Sequence, residues 1–579
     1  PEPELNSADL DATQARSRNK NDRKSGNAEL RTLVKGAKIS TANGLDVGPD
    51  GHLYIASVVG EEIVVMNKNN GKILKRFGPA EGVLGPDDLI FNPEGTALYW
   101  TDILVGQIGR MDMATGEVVK QDVAPGVNPI RFTEDGRLFT ALDFLGDGLF
   151  ELDPDLIDPP RHIISCPTGF CLGFFNSFDT RMEGDKLMLY GPLFALNLVI
   201  AIDVDAIPDN TEFPPDLSGL FGPYVRIVAG TLGDSDLFNP AAAKFGPDGM
   251  LYVLDQAGKL WKVNPDGADE KTLFSTLQPG LDNMTFDEDG TIYMTNNDEG
   301  WVAEILPSGQ PRYISPGGVI APQGLAVFPG PNNQDMLYEA DLFRLRQFNG
   351  TSGRQENIYK GYLIPVAPDV GIASMILPMN ISRDGEDLII TSWFSGGVQV
   401  WNPEDGVTEY YPEFTTPMDA VRHNGDIIVS NQDVFGDVGI YWASTGDAID
   451  LGGALTLPGG LETDGTSVWV ADWATGTIWE VLFDGADPES WEPLIEGLSN
   501  PEGLALDHSG GLLVVEWGAS RLSRVDLATG ERSTVVEGLK LGNPGLGAPP
   551  MWSFDGVAVG PSGDIYISGA GENAIYKVK

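Results

Sequence analysis

The sequence predicts an all-β protein, a β-propeller of twelve blade repeats arranged as two six-bladed propellers in tandem. Three observations lead there. A turn-strand phrase recurs twelve times, most clearly as NGLDVGPDGHLYIAS from Asn43, LDNMTFDEDGTIYMTN from Leu281 and FDGVAVGPSGDIYISG from Phe554. The hairpin glycines that mark it (Gly51, Gly95, Gly136, Gly184, Gly249, Gly290, Gly385, Gly425, Gly465, Gly511, Gly563) mostly follow one another at about 40 to 52 residues, the length of a four-stranded blade. Short apolar runs alternate with Asp-Gly and Asn-Gly turns, the signature of meandering antiparallel strands, and helical periodicity is absent.

Residues 1–29 are polar and charged without apolar periodicity, and read as a flexible lead. Each copy then supplies an apolar strand opening near an axis, a Gly turn, a Tyr/Trp/Val-rich second strand and a third such as IVVMN, LWKVN or IWEVL. The seventh copy replaces its turn with FPGPNNQD from Phe328. Twelve blades exceed the four to eight usual around one axis. The expected division is therefore 30–318 for the first propeller and 319–579 for the second. The last copy ends after its third strand, NAIYKVK, and 30–39 is the candidate to fill the missing edge, closing either the second ring or one large ring. Longer insertions at 153–176, 205–239, 345–377 and 541–553 are expected to drape over a ring face.

Composition limits the partners. Lys plus Arg number 37 against 84 Asp plus Glu, a formal charge of −47, which repels nucleic acid and anionic membranes. No apolar run approaches a membrane span. The acidic balance suits a cation, and equally suits plain solubility. Cys166 and Cys171 are spaced for a small-loop disulfide or for two buried thiols; with a first residue other than Met, the expectation is a secreted or periplasmic protein.

The residues opening the first strands should ring each axis. In the first half they are Asn43, Asp87, Asn128, Asn176, Ala241 and Asp282, with Asp88 and Asn283 adjacent. Five of six offer a carboxylate or amide oxygen, the donors calcium takes. Asn and Asp also make turns into strands, so each one alone has an ordinary explanation. The second half reads Gln323, Met379, Met418, Gly459, Glu502 and Asp555, with thioethers calcium does not favour. There Trp393, Trp473 and Trp517, with Glu502 and Asp555, are candidates to line a substrate pocket, or else to pack blade against blade.

The NGL at Asn43, the DN at Asp282–Asn283 and the repeated x-G-[LM]-x-[VF]-x-x-[DE]-G-x-[LI]-[YW] phrase resemble the calcium-dependent six-bladed propellers: the senescence marker protein/gluconolactonase family, the paraoxonases and the strictosidine synthase-like proteins. The resemblance spans nearly the whole chain as architecture, and only the first half as a site. It implies a Ca2+ ion on the axis with Asn43 and Asp282 or Asn283 as ligands, and Asp87, Asn128 and Asn176 as further candidates. The family's blade-one glutamate has no match in the first half; the nearest in position is Glu502, in the other half.

What the resemblance implies is an exported enzyme for a small neutral or apolar molecule, hydrolysing a lactone or ester. Calcium would polarise the carbonyl, with Asp87, Asp88 or Asp282 as base towards water. A lyase, isomerase or cyclase could use the same metal, and a non-catalytic propeller with structural calcium is the rival. The four histidines are His52, His162, His423 and His508; only His162, in the Cys-containing insertion, stays a candidate. No nucleophile elbow, phosphate loop or dinucleotide fingerprint is present.

Overall fold

The computed structural model describes residues 29–363, 374–432, 438–451, 453–484, 493–542 and 554–579; the expected lead falls outside them, apart from Glu29. The described chain is all-β, built of twelve small sheets, mostly four-stranded and antiparallel, with short 3-10 turns and no α-helix. None of its helical turns is long and apolar enough to cross a membrane. The first sheet, Leu45–Val47, Leu53–Ser57, Glu62–Met66 and Ile73–Phe77, sets the pattern: each strand pairs with the next in sequence. The hairpin Gly51 takes φ +74°, the left-handed turn the repeated Asp-Gly supplies. In the third sheet the 205–239 insertion adds a fifth strand, Thr211–Glu212, parallel to Arg161–Ser165.

The innermost strands touch in chain order, and the sixth, Leu281–Phe286, returns against the first, Leu45–Val47. Likewise the twelfth, Val557–Val559, returns against the seventh, Leu325–Pro329. Glycine lets these strands converge. A Cβ on Gly44 would lie 2.4 Å from Asp88 Oδ1, and one on Gly556 would lie 2.7 Å from the Gln323 carbonyl, so at these two positions the neighbouring strand leaves no room for a side chain.

The last sheet is completed from the other end of the chain. Leu30–Lys35 pairs antiparallel with Ala574–Val578, from Leu30 opposite Val578 to Lys35 opposite Ala574. The strand then leads into the first sheet past the connection between the two halves, where Gly36 N–H donates to Asn573 O at 2.7 Å and Ala37 N–H to Val319 O at 2.8 Å. That connection is held by buried charge. Arg346 pairs with Asp341 at 2.5 Å and Glu299 at 3.1 Å, and Arg344 with Asp298 at 2.9 Å and Glu299 at 3.1 Å. Asp341 in turn accepts Ile320 N–H and Ala321 N–H.

Candidate functional site

Many acidic side chains near the two axes fall into three groups; Glu339 of the second half, fully buried with both carboxyl oxygens unpartnered, stands outside them. Members of the first lie on inner strands and join neighbouring sheets. Asp46 accepts its own Val47 N–H at 2.9 Å and Phe91 N–H of the next sheet at 3.0 Å. Asp88 does the same with Leu89 (2.9 Å) and Ile130 (3.2 Å), and Asp179 with Thr180 (2.8 Å) and Phe245 (2.9 Å). In the second half Asp419 takes Ala420 and Leu461 N–H, both at 2.8 Å, and Glu462 takes Thr463 and Leu506 N–H.

The second group closes second strands and anchors the segment leading into the same sheet. Asp102 accepts Leu84 N–H, Asp341 accepts Ile320 and Ala321 N–H, Asp472 accepts Thr456 and Leu457 N–H, and Glu516 accepts Ser499 N–H. Both groups use carboxyl oxygens to satisfy backbone donors that the converging strands cannot pair.

Asp87, Asp143 and Asp282 belong to neither group. Among the described residues, the carboxylates of Asp87 and Asp282 receive no hydrogen bond and no ion pair. Asp143 sits where an anchor should, at the end of Leu138–Leu142, yet its carboxyl meets only the N–H of the following Phe144 and, at 3.5 Å, Asn128 Nδ2–H, and its Oδ1 is buried without a partner. The three repel one another. Burial pushes the Asp282 carboxyl well above the usual range, and Asp87, Asp88, Asp143 and Asp298 push it further. Burial first, then Asp87, does the same to Asp143. Asp87 is pushed up to about 7 by burial and by Asp88. Asp87 and Asp282 remain partly open to solvent at the channel mouth although protein surrounds them nearly everywhere.

Amide oxygens complete the surroundings. Asn128 Oδ1 is buried and unpartnered, Asn43 Oδ1 accepts Val58 N–H at 3.2 Å, and Asn176 Oδ1 accepts Ser177 N–H at 2.7 Å. Asn283 lies one layer deeper: its Oδ1 accepts Ser177 Oγ and Met284 N–H, and its Nδ2 donates to Asp88. Asp88 thus spends its oxygens inside that layer. Below it, Arg131 pairs with Asp179 at 2.8 Å, and burial holds Lys244 down at about 8 beside Arg131, Asp88, Asp179 and Asp46. The positive charge of Arg131 and Lys244 therefore sits among Asp46, Asp88 and Asp179.

The donors are the kind a hard cation takes: the carboxyls of Asp87, Asp143 and Asp282, of which Asp143 Oδ1 is buried without a partner, and the orphaned amide oxygen Asn128 Oδ1. The three acids do not crowd within 4.8 Å of one another; among the described residues the only His, Cys or acidic ligand atoms that close are those of Asp147, Cys166 and Cys171. Those two sulfurs are bonded as a disulfide, and Asp147 Oδ2 accepts the N–H groups of Cys171, Leu172 and Gly173 at 2.7–2.8 Å. His162 stacks on Phe150 and is held below its ordinary value by burial.

The second axis is organised differently. Glu502 and Asp555 are fully buried, and Glu502 accepts Trp473 Nε1–H at 3.2 Å and Asp555 N–H at 3.0 Å. Asp555 accepts Gly542 and Ala570 N–H, so the pair forms an internal network with no face open to a ligand. Burial raises both carboxyls, Glu502 further through repulsion from Asp555, while a hydrogen bond with Glu502 partly offsets the rise at Asp555. Trp473 lies 5.8 Å from Trp517, whose Nε1–H donates to Gly542 O. Trp393 packs into an apolar cluster with Met379, Met418 and Phe554, which Val59 and Leu104 of the first half join. Among the described residues, one cavity of about 240 Å³ runs along the inner strands of the second half, and another of about 530 Å³ lies between the halves, bordered by Lys35–Lys38, Val59–Glu62, Ile320 and Asn573.

The signal for Asp143, absent from the sequence reading, was its place at the end of a second strand, shared with Asp102 and Asp341 and uninformative until their partners were known. No protein-family model and no curated protein matches the chain. Among solved structures it is similar to the extracellular domain of BT4673 from B. thetaiotaomicron, with 11% identity over 95% of this chain and 82% of that one and a TM-score of 0.30. It is also similar to a functionally unknown protein from Desulfotomaculum acetoxidans, with 14% identity over 53% of this chain and 94% of that one and a TM-score of 0.33. Neither likeness bears on function.

Proposed function

We propose that the chain is an exported pair of six-bladed propellers, with a calcium-dependent site in the first that hydrolyses a small neutral or apolar lactone or ester. The observation that carries the site is the isolation of Asp87, Asp143 and Asp282, desolvated together without a cation, whereas the acids of the other two groups hold backbone donors or a paired arginine. The return of Leu281–Phe286 to Leu45–Val47 and of Val557–Val559 to Leu325–Pro329 supports two rings. The Cys166–Cys171 disulfide supports an oxidising compartment.

Asp87, Asp143 and Asp282 would hold the ion, with Asn43, Asn128 and Asn176 adding amide oxygens. Bound calcium supplies Lewis acidity towards a carbonyl oxygen. The chain's own part is to exclude bulk water from the axis, to orient the carbonyl at the mouth and to accept a proton from water on a half-open carboxylate, Asp87 or Asp282. Lys244 and Arg131, one layer below, stop the negative charge from extending through the ring.

Chelation, terbium luminescence and a panel of lactones and aryl esters test this. Calcium-dependent turnover, lost in Asp282→Ala with the fold retained, is the expected result. A wild-type protein that binds no calcium or terbium overturns the site. Cation binding without turnover of any carbonyl substrate leaves a ligand-binding propeller with structural calcium.

A further inference from the structure

Three residues past each opening position the inner strands form a further layer, and the two halves fill it differently. In the first half it reads Asp46, Ile90, Arg131, Asp179, Lys244 and Thr285; in the second, Ala326, Ser382, Val421, Glu462, Ala505 and Ala558. Strand register makes the positions comparable: Arg131 pairs with Phe139 and Lys244 with Tyr252, as Val421 pairs with Ile428 and Ala505 with Leu513. Where the first half places a guanidinium and an ammonium, the second has a valine and an alanine. All six residues of the second set line the cavity of about 240 Å³.

The acid kept in that layer lacks the partner its counterpart has. Asp179 accepts the N–H of its neighbour Thr180 and that of Phe245 in the next sheet, and still receives Arg131 at 2.8 Å. Glu462, at the same position, accepts Thr463 and Leu506 N–H in the same way. Among the described residues, no ion pair reaches Glu462 or Asp419, which also borders the cavity. Phe554, from the apolar cluster of Met379 and Met418, borders one end of the cavity, and Arg383, Arg422 and Thr463, one residue further along their strands, border the other. Arg422 pairs with Asp384 at 2.7 Å and Glu409 at 2.9 Å, and Arg383 lies over the Phe328 ring at 5.0 Å, so neither is spent on Glu462. Glu462 and Ser382 stay partly open to solvent.

We propose that this cavity binds a small alkylguanidinium compound, its guanidinium on Glu462 as Arg131 meets Asp179 and its alkyl group over Val421 and Ala505. A guanidinium is planar and presents paired donors to a carboxylate, which suits oxygens already engaged by backbone N–H groups. The size of the cavity and its apolar end favour a free small molecule over a protein side chain. This site is independent of the cation reading at Asp87, Asp143 and Asp282.

Saturation-transfer NMR of the full chain with millimolar ethylguanidinium tests it, at pH 8, where Glu462, raised by burial to about 7, is ionised. Ethylurea is the uncharged control of the same shape. Saturable binding of ethylguanidinium and none of ethylurea is expected in the wild type. Glu462→Gln should raise the half-saturating concentration about tenfold or more. Val421→Arg, which installs the first half's own guanidinium, should abolish binding. Ala505→Leu narrows the cavity without adding charge, guards against misfolding of the arginine variant, and should also weaken binding. No saturable binding in the wild type, equal binding of ethylurea, or ethylguanidinium affinity unchanged in all three variants overturns the site. A capped arginine peptide that binds more tightly than ethylguanidinium overturns the free ligand and assigns the guanidinium to a partner protein.

Discussion

Asp87 and Asp88 are neighbours in sequence with opposite tasks. Asp88 satisfies Leu89 and Ile130 N–H and Asn283 Nδ2–H, so Asp88→Asn points an amide donor at donors and should cost about 1–3 kcal/mol. Asp87→Asn relieves a desolvated charge and should leave the cation-free protein as stable or more so, while cation affinity falls at least about tenfold. Urea denaturation and terbium titration of both variants check this; the reverse pattern would exchange their roles. That Asp87, Asp282 and Asn128 stand at the openings of inner strands was legible in the sequence, because the repeat defines the register of those strands. What was not legible was which of two adjacent acids was free, since that depends on donors from the next sheet, some forty residues away in sequence. Asn283 and Asp88 were candidates on the same footing as Asp87, and their hydrogen bonds place them one layer deeper.

Inner strands are joined by carboxylates as much as by packing, and this has a pH signature. Burial raises Asp419 to about 8 and Glu462 to about 7 even though each accepts backbone N–H bonds. A raised folded-state value means the native protein keeps a proton that the unfolded chain has released. Their contribution is therefore complete below the unfolded values near 4 and is lost as pH rises to about 7 and 8, at up to ~1.4 kcal/mol per pH unit for each group. Urea midpoints measured from pH 4.5 to 8.5 should fall, and Asp419→Asn should flatten part of the slope. A variant as steep as wild type would assign the trend to the chain's net charge alone. Sheets were readable because turn glycines recur with the blade. The staples were hidden because Asp419 and Glu462 occupy different positions along their phrases, and only the register between sheets aligns them.

Across the whole molecule the two halves meet at buried ions, Asp298 and Glu299 against Arg344, Arg346 and Lys360. Arg346→Met strands Asp341 without its arginine and leaves Glu299 to Arg344 alone, and should cost about 3–5 kcal/mol. Calorimetry should then show two transitions where the wild type shows one; a single transition at the wild-type temperature would make the contact incidental. The strand at 30–35 was read from the missing edge of the twelfth copy, and it is there. Its partner, Ala574–Val578, is the last strand of the chain. This pairing imposes an order in time. Leu30–Lys35 is made more than five hundred residues before Ala574–Val578, so the twelfth sheet closes only once the later strand has been made. Until then Leu30–Lys35 lacks its sheet partner, and an open β edge is a site for wrong pairing.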